Sequence, residues 1–392
     1  MFLEVWHWWR NLPKAARHTL VPFLRIVPVP YILNIVYYPI FSFVAKADRW
    51  ERAGWRNYQL AQLRRICILA YRKTKFYRTI FDEAGFVPEA MRDCGDLRRL
   101  PTITKETVRK HLRDMVATRV RGFAADYVST GGSDGQPLFF YINRSRSPVE
   151  YAYLIRSWAR GGYRFGMPLA VLRGHVVRPD DGGFCHEYDP ILRHHYYSSF
   201  NMTDDNIARY LEHIRTIGPC FLHVYPSTAA ALARFILRAG IEPPENIRGI
   251  IAESEIVYPD QREMIERAFG VRMFSCYGHT EKLVLAAECE YSRDYHVWPT
   301  YGYFELLDEQ GNPVTRPGQR GEIVGTGFIN TVMPFIRYRT GDWATYVGDR
   351  CEACGREHII IRDIRGHRTQ EVLIAADGSE IPWAALNMHD DT

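Results

Sequence analysis

Apolar residues Leu60, Leu63, Ile66 and Leu69 recur within 50–81 at a spacing that lines one face of a helix. Gly85-Phe86-Val87-Pro88 ends that pattern, because glycine and proline both disfavour a continued helix. From about Leu100 the texture changes. Short apolar runs such as 169–172, 220–224 and 249–252 alternate with amphipathic stretches such as 207–217 and 228–239, and strand alternating with helix predicts layered α/β structure. Beyond Gly302 the runs 303–307, 321–326 and 358–361 are punctuated by Gly311-Asn312-Pro313 and Pro317-Gly318, the turn chemistry of a smaller, mostly β subdomain. The chain thus divides into a helical N-terminal segment (1–95), an α/β core (96–302), a β-rich subdomain (303–365) and a short terminal segment (366–392). At 392 residues it exceeds what one hydrophobic core usually organises, which agrees with this composite plan.

The stretch 26–45 carries no charged side chain and is long enough in principle to cross a bilayer. Pro28, Pro30, Pro39 and Asn34 interrupt any helix there, and no small-residue cleavage site follows, so a buried or interfacial packing segment is expected. Trp6, Trp8 and Trp9, with Arg10, Lys14, Arg17 and Arg25, suit a membrane surface and keep open a peripheral contact at the inner membrane face. Hydrophobic residues at 46% and charged residues at 24% describe a folded globular protein. The net charge of +5 is spread without a long basic block, which argues against a nucleic-acid partner and only weakly for anionic substrates. Eight scattered cysteines do not read as the disulfide framework of a small secreted domain, and a reducing cytoplasm fits better.

Candidate chemistry begins at Ser129-Thr130-Gly131-Gly132-Ser133-Asp134-Gly135-Gln136-Pro137, followed at once by the strand-like 138–141. Glycines let the backbone approach a phosphate chain, while hydroxyls and free N–H groups supply donors to its oxygens. It is not a Walker loop, since no Gly-Lys-Ser/Thr follows and it leads into a strand. Taken alone, such a stretch reads equally well as a turn. Three further segments follow in order: Ile251-Ala252-Glu253-Ser254, Cys276-Tyr277-Gly278-His279-Thr280-Glu281 and Tyr338-Arg339-Thr340-Gly341-Asp342. Together the four resemble the phosphate loop, the adenine-lining segment, the Tyr-Gly-x-Thr-Glu motif and the Tyr-Arg-Thr-Gly-Asp motif of the adenylate-forming superfamily. Lys73-Thr74-Lys75-Phe76-Tyr77-Arg78 and Leu100-Pro101-Thr102-Ile103-Thr104-Lys105 resemble the phenylacetate-CoA ligase branch, and within it the capsular-polysaccharide subgroup. The resemblance covers roughly residues 60–392.

That resemblance implies a large adenylate-forming domain of layered α/β subdomains with a smaller β subdomain. It implies ATP-dependent activation of a carboxylic acid as the acyl-adenylate, then transfer to CoA, a carrier thiol or an amine, in a setting of surface-polysaccharide biosynthesis. Nucleotide contacts fall on Thr130, Gly131, Gly132, Ser133 and Gly135, on Ala252, Glu253 and Ser254, and on Tyr277, Gly278, Asp342 and Arg362, with Arg365 and Arg368 competing for the last role. Asp342 would accept hydrogen bonds from the ribose hydroxyls, as an ionised carboxylate can, and Tyr277 would face the adenine. Thr280 and Glu281 are the catalytic candidates, with Glu281 holding Mg²⁺ because a hard cation takes carboxylate and phosphate oxygens. For the acid, His223 and Tyr225 are the candidates, since His223 closes a predicted strand at the end where α/β proteins bind ligands. The His194-His195-Tyr196-Tyr197 cluster is a more remote one.

Two departures qualify the resemblance. Asp134 stands where the family usually has a threonine and sets an acid beside the expected polyphosphate, where like charges repel. Few residues follow Arg362, whereas the family carries a mobile C-terminal lid domain, so the sequence is expected to lack most of that lid. A catalytically impaired nucleotide-binding or membrane-surface scaffold protein is therefore the alternative reading.

A metal centre follows from spacing. Cys289 and His296 form one pair and Cys351-x-x-Cys354 a second, the four donors that a closed tetrahedral zinc site requires. Zinc-binding members of the family place Cys and His in the same order. The competing reading is a set of buried thiols and a surface histidine.

Overall fold

The computed structural model describes residues 37–117, 124–130 and 137–366, the strands Val372–Ile374 and Glu380–Pro382, and isolated positions before residue 23. The architecture is mixed α/β, in two compact units. The first comprises Met1–Phe41, Leu154–Cys276 and Thr369–Thr392, and the second Ser42–Tyr153 and Tyr277–Arg368.

Helices open the chain: α1 (Tyr38–Ala47), α2 (Arg52–Lys73), α3 (Lys75–Glu83) and α4 (Lys105–Met115). Helix α2 buries Trp55, Gln59, Leu63, Ile66, Cys67 and Ala70, an apolar stripe at three- and four-residue spacing that faces the core of the second unit. Thr74 separates α2 from α3: its hydroxyl donates to the Ala70 carbonyl (2.8 Å) and accepts from the Tyr77 N–H (3.2 Å), ending one helix while capping the next. Buried Tyr77 then accepts from the Ile336 N–H at 3.0 Å. Thr104 and Thr107 form a capping box that starts α4, and Ile103 just before it pairs with the chain at Tyr338, its N–H donating to Arg337 and its carbonyl accepting from Arg339. Both short blocks that resemble the phenylacetate-CoA ligase branch thus act as braces on 336–339, immediately before Asp342.

Strands β1 (Ala125–Ser129) and β2 (Phe139–Asn143) pair as an antiparallel hairpin across the Gly/Ser-rich loop. Helix α5 (Arg146–Ala159) follows. The first unit then builds β3 (Leu169–Leu172), β4 (His186–Asp189), β5 (His194–Tyr197), α6 (Asp204–Arg215), β6 (Cys220–Val224), α7 (Pro226–Ala239), β7 (Ile247–Ala252), α8 (Pro259–Phe269) and β8 (Met273–Gly278). Its sheet order is β8-β7-β6-β3-β5-β4, parallel except for the β4–β5 pair at the edge. Strands β3 and β6 are buried at every residue, which is why they read as unbroken apolar runs and not as alternations.

In the second unit, β9 (Leu285–Ala287), β10 (Tyr295–Val297), β11 (Gly302–Leu307), β12 (Arg320–Gly327), β13 (Tyr338–Gly348) and β14 (Ile360–Arg365) form an antiparallel sheet in the order β11-β12-β13-β14-β10-β9. Its core joins Leu283, Ile323, Phe335, Ile336 and Tyr338 to the buried face of α2. Strands β15 (Val372–Ile374) and β16 (Glu380–Pro382) pair antiparallel in the first unit. No helix among the described residues is long and apolar enough to cross a membrane, and most of 26–45 lies outside the described residues.

Candidate active site and metal centre

In the second unit the last two motifs meet through tyrosine hydroxyls. Tyr338, the first residue of β13, donates to Oε1 of Glu281 at 3.0 Å, and Tyr277 donates to Oδ2 of Asp342 at 2.8 Å. Thr340 fixes the turn that presents Asp342, accepting from the Asp342 N–H (3.1 Å) and donating to the Ile323 carbonyl (2.9 Å). Glu281 is 5% exposed. Burial works against its ionisation, but hydrogen bonds from His279 and Tyr338 outweigh that and hold the carboxyl below the usual range. Burial and the adjacent Asp342 charge push Tyr277 well up, so its hydroxyl stays a donor. The result is two carboxylates whose orientation is fixed before any ligand arrives. His279 donates from Nδ1 to Oε2 of Glu281 (3.2 Å), and its Nε2 is buried with no partner among the described residues. A buried polar atom of this kind marks a place where a ligand or water completes the set. Thr280 lies partly buried in the same turn, and Lys282, at φ 59°, holds the backbone there in the left-handed region while its ammonium pairs with Glu150 at 2.6 Å.

Thr130 is also in this unit, its hydroxyl accepting from the Leu138 N–H (3.1 Å) at the base of the hairpin. Gly131, Gly132, Ser133, Asp134 and Gly135 lie outside the described residues, as does Arg368. Arg362, on β14, pairs with Asp294 at 3.2 Å and is about half exposed.

The first unit holds a second buried ionic group at the C-terminal ends of its parallel strands. Glu253, immediately after β7, accepts from Trp158 Nε1 (2.7 Å) and from Arg173 NH1 (3.2 Å). The same NH1 lies 2.7 Å from Nε2 of His223, itself 3.2 Å from the carboxylate. One NH₂ group carries two hydrogens, so Arg173 donates one to each, and His223 stays neutral with its Nε2 lone pair engaged. Burial and then the Arg173 charge lower the His223 pKa, in agreement. Burial opposes ionisation of Glu253, yet the hydrogen bonds around it and the Arg173 charge hold its carboxyl down at about 2. Arg173 NH2 also donates to Ser254 Oγ (2.7 Å), and Ser254, at φ 71°, bends the chain away after the buried strand end Ala252. The guanidinium stands 5.5 Å from the Tyr225 ring, a cation–π distance.

One ligand atom from each of Cys289, His296, Cys351 and Cys354, all in the second unit, lies within 4.8 Å of the others. The chemistry of this donor set fits Zn²⁺: three sulfurs and one imidazole, with Cys289 Sγ accepting the N–H groups of Tyr291 (3.4 Å) and Ser292 (3.1 Å). Gly355, at φ 74°, turns the chain back so that its N–H bonds to the Cys351 carbonyl at 2.8 Å. Beside the knuckle, the fully buried Arg356 is neutralised by Asp48 (3.0 and 3.1 Å) and by Glu290 (2.6 and 2.8 Å). None of the eight cysteines forms a disulfide.

The chain is 28% identical over 328 residues to a phenylacetate-coenzyme A ligase of Thermus thermophilus, covering 82% of this chain and 72% of that enzyme. In sequence it is similar to the phenylacetate-CoA ligase branch of the adenylate-forming ligases. A second relative, Protein CapK of Staphylococcus aureus, is 26% identical over 250 residues, of which the chain spans 54% of the relative's length. Among solved structures, a 2-hydroxyisobutyryl-CoA ligase in the postadenylation state with R3-HIB-AMP superposes with TM-score 0.65 at 22% identity, over 87% of this chain and 74% of that one, and so shares the fold. No protein-family model matches the chain.

Sequence reasoning missed Arg173, Trp158, His279 and Tyr338. The signal for Arg173 was present: it directly follows the apolar run 169–172, the same strand-end position that singled out His223. Trp158 carries no such mark, and Tyr338, although it opens the Tyr-Arg-Thr-Gly-Asp segment, gives no sign of its partner, because what recruits both is the register of neighbouring elements.

Proposed function

We propose that this protein activates a carboxylic acid with ATP and passes the acyl group to the thiol of CoA, in a setting of surface-polysaccharide assembly as the resemblance of its motifs to the capsular-polysaccharide subgroup implies. The observation that carries the reading is the pair of oriented carboxylates, Glu281 under Tyr338 and Asp342 under Tyr277. In the first step an oxygen of the acid bonds to the α-phosphorus of ATP and pyrophosphate leaves. In the second the CoA sulfur, its proton lost to solvent, bonds to the acyl carbon and AMP leaves. Asp342 accepts from the ribose, and Thr130 with Gly131, Gly132, Ser133 and Gly135 contacts the phosphates. Ala252, Glu253, Ser254, Tyr277 and Gly278 line the base. His223 and Tyr225 face the acid, with Arg173 fixing the neutral His223. Arg362 reaches the nucleotide by giving up Asp294. Glu281, beside the buried Nε2 of His279, would hold Mg²⁺, which would supply neutralisation of the charge that develops on the phosphates. Cys289, His296, Cys351 and Cys354 would hold Zn²⁺ in a structural role, since four protein donors would leave no coordination position open.

ATP–pyrophosphate exchange over a panel of aryl and short hydroxy acids tests this reading. Acid-dependent exchange with Mg²⁺ is expected, and CoA, a carrier thiol or an amine is then identified as acceptor by the acylated product. No exchange with any acid, from a chain that still binds ATP, overturns the activity in favour of a nucleotide-binding scaffold.

A further inference from the structure

A cluster of imidazoles in the first unit has no part in the chemistry above. His186 lies on β4 and His195 on β5, the antiparallel edge pair in which His186 sits opposite Tyr197 and Tyr188 opposite His195. Because side chains alternate along a strand, His195 and Tyr197 share a face with His186 and Tyr188, while His194 points to the other face. His213, in the last turn of α6, meets that face. One ring nitrogen from each of the three histidines lies within 4.8 Å of the other two. Nε2 of His186 and Nδ1 of His195 are 3.1 Å apart, and the His186 and His213 ring centroids 4.2 Å apart. The Tyr197 hydroxyl, 2.7 Å from Nδ1 of His213, orients the third ring. All three are half-buried, so solvent and ions reach them.

We propose that His186, His195 and His213 form a second metal site, for a divalent transition-metal ion with imidazole preference such as Zn²⁺. Hard cations are disfavoured, because Mg²⁺ and Ca²⁺ take oxygen ligands whereas imidazole suits Zn²⁺, Co²⁺, Ni²⁺ and Cu²⁺. Three imidazoles this close repel one another when protonated, which favours the neutral form that donates a lone pair. Coordination replaces the His186–His195 hydrogen bond, and the proton it held moves to another ring nitrogen or to solvent. The Tyr197–His213 contact supplies the outer support that metal-bound histidines commonly have. Three protein donors leave a fourth position for water or a small anion, in contrast to the closed Cys/His centre. Such an ion ties the β4 edge strand, the least supported strand of this sheet, to helix α6.

The test uses the full chain stripped of metal and titrated with Co²⁺. A thiolate site gives intense sulfur-to-cobalt charge-transfer absorption, whereas an all-imidazole site gives d–d bands alone. Two equivalents are expected in the parent, one of each kind, with only the d–d component surviving in Cys354→Ser. His213→Ala and the milder His195→Asn are expected to lose that component and at least tenfold in affinity for the second equivalent, with the charge-transfer band intact as evidence of folding. A parent that binds one equivalent only, or histidine variants with unchanged second-equivalent binding, overturns the proposal.

Discussion

Asp342, half-buried, and Glu253, buried, show how differently two carboxylates can be used. Asp342 accepts from the Tyr277 hydroxyl and sits on the turn that Thr340 shapes, where it can receive a ligand's hydroxyls. Asp342→Ala is expected to weaken ATP binding by about 1–3 kcal/mol, and Tyr277→Phe, which removes only the orienting donor, by about 0.5–1.5 kcal/mol. Calorimetry at fixed Mg²⁺ checks both, and an unchanged affinity in Asp342→Ala removes the residue from the site. Glu253 is instead tied to two protein donors, Trp158 and Arg173. Its carboxyl falls from an ordinary 4.5 to about 2, worth about 3 kcal/mol at ~1.4 kcal/mol per tenfold. Because the folded-state value is depressed, this stabilisation is full above pH 4.5 and is lost as the pH falls toward 2. Glu253→Gln is therefore expected to flatten the loss of stability across that window, measured as denaturant midpoints against pH. A variant whose midpoints fall as steeply as the parent's would show that the carboxylate is not stabilised by its neighbours.

Elements impose a different constraint, visible at Gly302, the first residue of β11. A Cβ there would stand 1.9 Å from the backbone carbonyl oxygen of Leu283 and 3.0 Å from that of Thr326, and backbone cannot rotate aside as a side chain can. Gly302→Ala is expected to cost at least the 1–3 kcal/mol that is roughly typical of overpacking and to lower the melting temperature by several degrees. At Gly348, the far end of β13, an added Cβ would meet nothing within 4 Å, so Gly348→Ala should melt at or slightly above the parent. Equal melting of the two variants would contradict the packing of β11 against the turn that carries Glu281. The periodicity of α2 was legible in the sequence, because helical spacing is local, whereas the break and cap at Thr74 inside the helical stretch 50–81 were not read there. The close approach at Gly302 was not legible, since its partner lies on another segment.

For the molecule as a whole, the Cys289–His296–Cys351–Cys354 centre joins segments more than fifty positions apart in the sequence of the second unit. A closed site that forms only in the folded chain adds its binding energy to folding. Purified protein is expected to carry zinc at this centre, chelation to lower the melting temperature, and Cys354→Ser to reproduce most of that fall, because a hydroxyl is a poor zinc ligand at neutral pH. A metal-free chain whose Cys354→Ser variant melts like the parent would reduce the four residues to packed side chains. The ion pairs of Arg356 with Asp48 and Glu290 would persist in either case, since they need no metal.

By itself the sequence determined the alternation of strand and helix, the order of four motifs and hence the resemblance to adenylate-forming ligases, and the Cys289/His296 and Cys351/Cys354 pairs. These are properties of spacing along one chain, set by the periods of helix and strand and by turn chemistry. Only the tertiary structure decided that Tyr338 orients Glu281, that Arg173 joins His223 to Glu253, and that His186, His195 and His213 converge. Each of those groupings depends on strand register and on which helix covers which face. A one-residue slip in pairing would turn the same side chains to the opposite face, so no local pattern could have announced them.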